Sequence, residues 1–104
     1  MKVFPREKPI SLLDPITARS TVRRMLNTDA TLEIQVHAAR RMNERGISLP
    51  EIRWVLRRGF VNGDKTSFVR GEFRYQFESG DTAVVVEIWE DENLIPVITV
   101  IDLG

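Results

Sequence analysis

The segment HAARRMNERGISLPEIRWVLRRG, from His37 to Gly59, gathers the residues of this chain best suited to moving protons and holding anions. It contains the only histidine, with six arginines and two glutamates. On a helix advancing about 100° per residue, His37, Arg41 and Glu44 fall within about 60° of one another. Arg40 and Arg45 flank them, while Ala38 and Met42 point toward a core. An imidazole, a guanidinium and a carboxylate on one face suffice for acid–base chemistry on a phosphodiester. Histidine exchanges protons near neutral pH, and a cation stabilises the charged transition state. The same spacing also describes a solvated face with an ion pair from Glu44 to Arg40 or Arg41. A lone histidine near a helix start is also commonly a capping or packed group.

Further cations follow on the next amphipathic stretch. Arg53 and Arg57 stand one helical turn apart beside Arg58, placed to track phosphates, and Trp54 offers a stacking surface or a core-edge residue. Past the helices, Arg70, Arg74 and Tyr75 lie close in sequence. Tyr75 alternates with Phe73 and Phe77 as a core residue does, which leaves Arg74 for the opposite face.

These residues need elements to position them. Asp14-Pro15 reads as a helix cap followed by proline in the first turn, opening a helix to about Asn27 that buries Ala18, Val22 and Met25 or Leu26. Thr31 to Val36 alternates as a strand, although Leu32 and Val36 also fit a helix running into His37. A short helix from His37 ends at Gly46. Ser48 and Glu51 form a capping box for a second, with Leu49, Ile52, Val55 and Leu56 on its buried face and Gly59 as its stop. The period then falls from 3.6 to 2: strands are expected over Glu72–Glu78, Thr82–Glu90 and Pro96–Ile101, with Phe68 and Val69 in a preceding one. The expectation is an α+β fold with helices on one face of a three- to four-stranded antiparallel sheet. Residues 1 to 30 supply an arm and a helix, residues 31 to 104 the main body, and the whole forms a single compact domain. The strand near Pro96 is expected at an edge, where a second copy could pair as a homodimer.

Composition narrows the function classes. A chain of 104 residues with 42% apolar content can build one core. Without cysteine there are no disulfides, thiolate metal sites or thiol nucleophiles, and a single histidine leaves no basis for a metal or other cofactor. The apolar runs are too short to span a bilayer and the start lacks an apolar signal core, so a soluble cytoplasmic protein is expected. The formal charge of zero conceals a division. Residues 1–74 hold all 15 basic residues and eight acids, a formal +7, and the last 30 hold seven acids and no base. Such asymmetry points to a polyanion or a charged protein as partner.

The stretch His37-Ala38, Arg41-Met42, Glu44-Arg45-Gly46-Ile47-Ser48 and Gly59, followed by Gly71 to Tyr75 and Ile98-Thr99-Val100, resembles the domain-of-unknown-function family 4258 over about residues 34 to 102. The resemblance implies a small α+β fold similar to the RelE and BrnT toxin ribonucleases, acting on RNA without a metal. It also implies a toxin–antitoxin or polymorphic toxin context, with an antitoxin or immunity protein as partner. The active residues it implies are His37, Arg41, Arg74 and Thr99, with Arg40, Arg45, Arg53, Arg57 and Arg58 available for the nucleic-acid backbone. The alternative is a module without catalysis, whose basic helical face docks an acidic protein or nucleic acid.

Overall fold

In a computed structural model describing residues 11–104, Asp14 caps helix α1 (Pro15–Asn27) by accepting the Thr17 amide hydrogen on Oδ1 at 2.8 Å. Pro15 fills the first turn, where its missing donor costs nothing. The first ten residues of the expected N-terminal arm lie outside the described part of the chain. Helix α2 (Val36–Arg45) ends at Gly46, whose left-handed torsions (φ 66°, ψ 31°) suit a residue without a Cβ. Helix α3 (Leu49–Arg58) opens on the expected capping box. Ser48 Oγ accepts from the Glu51 amide at 3.3 Å, and Glu51 Oε1 accepts from the Ser48 amide at 3.1 Å.

The strands are β1 (Thr31–Ile34), β2 (Phe60–Val61), β3 (Ser67–Val69), β4 (Glu72–Ser79), β5 (Thr82–Val86) and β6 (Leu94–Asp102). The expected meander is present as β4-β5-β6, all antiparallel. The sheet is larger than expected, however, and mixed: its order is β1-β6-β5-β4-β2, with β3 also paired to β4 and β1 parallel to β6. Strand β3 is the one expected at Phe68 and Val69, whereas the two-residue β2 is too short for alternation to declare it. The parallel pairing sets Thr31 beside Leu94 and Ile34 beside Val97, partners too distant in sequence for a local pattern to declare.

Other boundaries also move. The strand expected over Thr31–Val36 stops at Ile34, and Val36, largely exposed, begins α2. Strand β5 ends at Val86, not Glu90, after a register shift against β6. The segment around Pro96 is not an edge, because β1 lies on one flank and β5 on the other. Proline is tolerated there because its missing N–H would face Glu87, just past the end of β5, while its carbonyl still accepts from the Glu87 amide at 3.0 Å.

One core joins all of this. Ala18, Val22, Met25 and Leu26 of α1 meet Ile52, Val55 and Leu56 of α3, Ala38 of α2, and Tyr75, Phe77, Val84, Val86, Ile95, Val97 and Val100 of the sheet. Helix α1 therefore belongs to the same packed body as the strands. Among the described residues no helix is long and apolar enough to cross a membrane.

Candidate functional site

The start of α2 stands at the flank of β6. The Gln35 amide donates to the Val97 carbonyl at 3.0 Å, and there β1 gives way to the helix while β6 runs on to Asp102. His37 lies two residues past Gln35, and Thr99 two residues past Val97 on the parallel partner. Topology thus carries both to the same end of the β1–β6 pair, where α2 packs against β6. His37 is exposed, and among the described residues it makes no hydrogen bond or ion pair. Arg41, one turn on, is half-buried and donates from Nη1 to Glu44 Oε1 at 2.9 Å, one of the ion pairs its spacing suggested.

Arg74 and Thr99 belong to the sheet face turned away from the helices. Tyr75 and Phe77 enter the core, so Arg74 and Gln76 point the other way; Val100 enters the core, and Thr99 pairs with Val85 on the opposite face. In the ladder Gln76–Val85–Thr99 the strands stand about 4.8 Å apart, which puts Thr99 roughly 10 Å from β4. Arg74 donates from Nε to Glu87 Oε2 at 3.2 Å, and Glu87 Oε1 accepts from Trp89 Nε1 at 2.9 Å. Glu87 is 6% exposed and Trp89 fully buried, so this relay fixes Arg74 from below. Sequence reading missed Glu87, which alternation alone places across from Arg74 once the β4–β5 register is known. Glu33, Glu72 and Glu78 share this face, which is therefore rich in acid. Among the described residues no hydrogen bond or ion pair links the α2 pair to the sheet pair.

The cations expected to meet a nucleic acid lie on the helical side. Arg40, Arg45 and Arg53 are exposed. Arg57 Nη1 donates to Asn27 Oδ1 at 3.0 Å, and the Arg58 guanidinium rests 4.7 Å above the ring of exposed Trp54. Two arginines that the sequence reading did not assign join them from α1. Arg19 Nε donates to the Gly59 carbonyl at 2.9 Å and Arg23 Nε to the Arg57 carbonyl at 2.7 Å, satisfying carbonyls that the end of α3 leaves without helical partners. Their four-residue spacing on α1 was the available signal. Partial desolvation, and then the charges of Arg19 and Arg58, hold the Arg23 guanidinium below its ordinary value. Arg24, further along α1, instead pairs with Glu90.

A separate open cavity of about 490 Å³ lies at the turn between α2 and α3, lined by Ile34, Ala39, Met42, Asn43, Ile47 and Ser48 among others. None of the candidate site residues lines it.

No curated protein and no solved structure matches this chain. A family model does: the domain of unknown function DUF4258 matches residues 34–102, from the end of β1 to the end of β6, leaving α1 outside. Those residues carry the histidine-bearing helix, the capped α3 and the whole β4–β6 meander, and by that match the chain belongs to the DUF4258 family.

Proposed function

We propose that this protein is a toxin-like, metal-independent ribonuclease of the RelE and BrnT kind, in which the RNA's own 2′-hydroxyl attacks the adjacent phosphorus. The observation that carries this reading is His37: an exposed imidazole with no hydrogen-bond or ion-pair partner among the described residues, one turn from Arg41, at the flank of the strand bearing Thr99. His37 takes the 2′-hydroxyl proton. The 5′-oxygen of the next nucleotide leaves and takes up a proton, and a 2′,3′-cyclic phosphate remains. Arg41 stabilises the charge on the phosphorane, while Arg74 and Thr99, on the sheet face turned away from the helices, contact the RNA outside the scissile group. Glu44 and Glu87 engage these arginines through one nitrogen each, and both are held in place by that contact. Arg40, Arg45, Arg53, Arg57 and Arg58 hold the backbone. The setting is cytoplasmic, with an antitoxin or immunity protein as the controlling partner.

Incubating the full chain with unstructured RNA and a chelator tests this. Cleavage is expected to persist in chelator and to fall by about 10²–10⁴-fold in His37→Ala while RNA binding is retained. Equal cleavage by the variant removes His37 from the mechanism.

A second reading, a binding module without catalysis, is favoured by a specific contrast. Arg41 and Arg74 are each neutralised by a glutamate, whereas Arg19, Arg23, Arg57 and Arg58 meet only uncharged groups among the described residues. Tight RNA binding by wild type with no strand scission would select it. Growth arrest on expression, relieved by a neighbouring gene product, would select the enzyme.

A further inference from the structure

The α1–α3 joint has a property that chain order conceals. Arg19 and Arg23 of α1 reach across to the last carbonyls of α3, and Arg57 reaches back to Asn27 at the end of α1. Each guanidinium is held by one hydrogen bond to an uncharged oxygen, and Arg58 by the face of Trp54. All four therefore keep their charge while losing much of their freedom. Packing has brought like charges together, which costs stability unless an anion arrives. The preorganised fork of each Arg19 and Arg23 side chain still has its two terminal amino groups to give. The Trp54 ring against Arg58 is 56% exposed, and Phe60, next after Gly59, is 55% exposed.

We propose that the α1–α3 joint is a binding surface for single-stranded RNA, with Arg19, Arg23, Arg57 and Arg58 against phosphates and Trp54 beneath a base. Charge complementarity names an anionic occupant. The open Trp54 ring selects a nucleic acid over an acidic peptide, because every unpaired base offers a face to stack and a glutamate does not. Single strands are favoured over duplexes for the same reason, since bases in a duplex already stack on one another. Helix α1 lies outside the stretch that matches the DUF4258 family and α3 lies inside it, so this surface joins the family domain to a helix beyond the match. The inference rests on the reading of the chain as RNA-directed but does not depend on cleavage.

The test uses the full chain and a short, mixed-sequence 2′-O-methyl oligonucleotide, which lacks the nucleophile for self-cleavage and so separates binding from catalysis. Trp89 is sealed in the fold and Trp54 is open, so tryptophan emission reports on the surface. Saturable quenching is expected for the wild type; Trp54→Leu removes that reporter, so its binding is read from the anisotropy of a labelled oligonucleotide and should be weakened. Arg19→Gln with Arg23→Gln should weaken binding about tenfold and flatten the dependence of log K on log salt by about 1.4, the value for two lost phosphate contacts on a single strand. That pair also removes two caps of α3, so Arg58→Gln, which removes no hydrogen bond, provides the second variant and should weaken binding with an unchanged melting temperature. Binding that ignores all three variants overturns the proposal even if His37-dependent cleavage is intact. Binding as expected with no cleavage of ordinary RNA upholds it and removes the ribonuclease reading. A poly-glutamate peptide that binds more tightly than the oligonucleotide, through the same arginines, also overturns it by making the partner an acidic protein.

Discussion

Tyr75, the only tyrosine, anchors the start of the described chain to the sheet: its hydroxyl oxygen accepts the Leu13 amide hydrogen at 3.0 Å. Burial raises its pKa above the phenol's ordinary 10.0; the Leu13 amide opposes this, and the charge of Glu72 adds to it. The fold thus favours the neutral ring. That contribution is complete below the ordinary phenol range and is lost as pH rises through the higher folded value. Titration of phenolate absorbance should give a midpoint above that of free tyrosine, together with the onset of alkaline unfolding, and an ordinary midpoint would contradict the burial argument. Tyr75→Phe keeps the ring but leaves the Leu13 amide without its acceptor, an expected loss of about 1 kcal/mol in denaturant unfolding. The alternation of Phe73, Tyr75 and Phe77 was enough to place this ring in the core. Its bond to Leu13 was not legible, since it joins residues 62 positions apart.

Gly59 decides how α3 meets the sheet. Sequence marks it as a helix stop, and α3 does end there, but the torsions (φ −74°, ψ 169°) are ones any residue adopts. What only glycine permits is the approach: a Cβ would lie 2.5 Å from the Val55 carbonyl oxygen and 2.6 Å from that of Glu78. Gly59→Ala should therefore cost about 3 kcal/mol, toward the upper end of overpacking penalties. Gly46→Ala, which strains only its own left-handed torsions in open space, should cost about 1 kcal/mol. Urea midpoints with unchanged slopes check the order, and equal losses would mean the α3–β4 contact yields. The Gly59 carbonyl also receives Arg19, so an element boundary that looks like routine punctuation helps to position the basic surface.

Over the whole molecule, charge is divided in space, though not along the boundary that the chain draws, since Glu33 and Glu72 come from its basic part and Arg74 shares their face. Arginines of α1 and α3 crowd the helical side, Glu33, Glu72, Glu78 and Glu87 share the opposite sheet face, and Arg24–Glu90 is one tie between early and late residues. Zero net charge therefore coexists with a strongly polar particle, which should bind polyanions at low salt and release them as salt rises. The helix outside the family match is also structural. Val22, Met25 and Leu26 are at most 6% exposed, and at about 1.5–3 kcal/mol each their burial contributes roughly 5–9 kcal/mol. Total stability for a domain is about 5–15 kcal/mol. A chain starting at residue 31 should lose cooperative thermal unfolding, measured by circular dichroism, whereas a family domain independent of α1 would retain it.

Local chemistry was written in the sequence. The Asp14 cap, the Ser48–Glu51 box, the left-handed Gly46 and the alternation of the meander each depend on residues within a few positions, where backbone geometry fixes the partner. The direction of β1, the interior place of Pro96, the Glu87 support beneath Arg74 and the fate of each arginine were settled by packing. Arg19, Arg23 and Arg57 find partners 40, 34 and 30 residues away, and Arg24 finds one 66 away. Sequence counts the charges, but only the folded core determines which of them a neighbour neutralises.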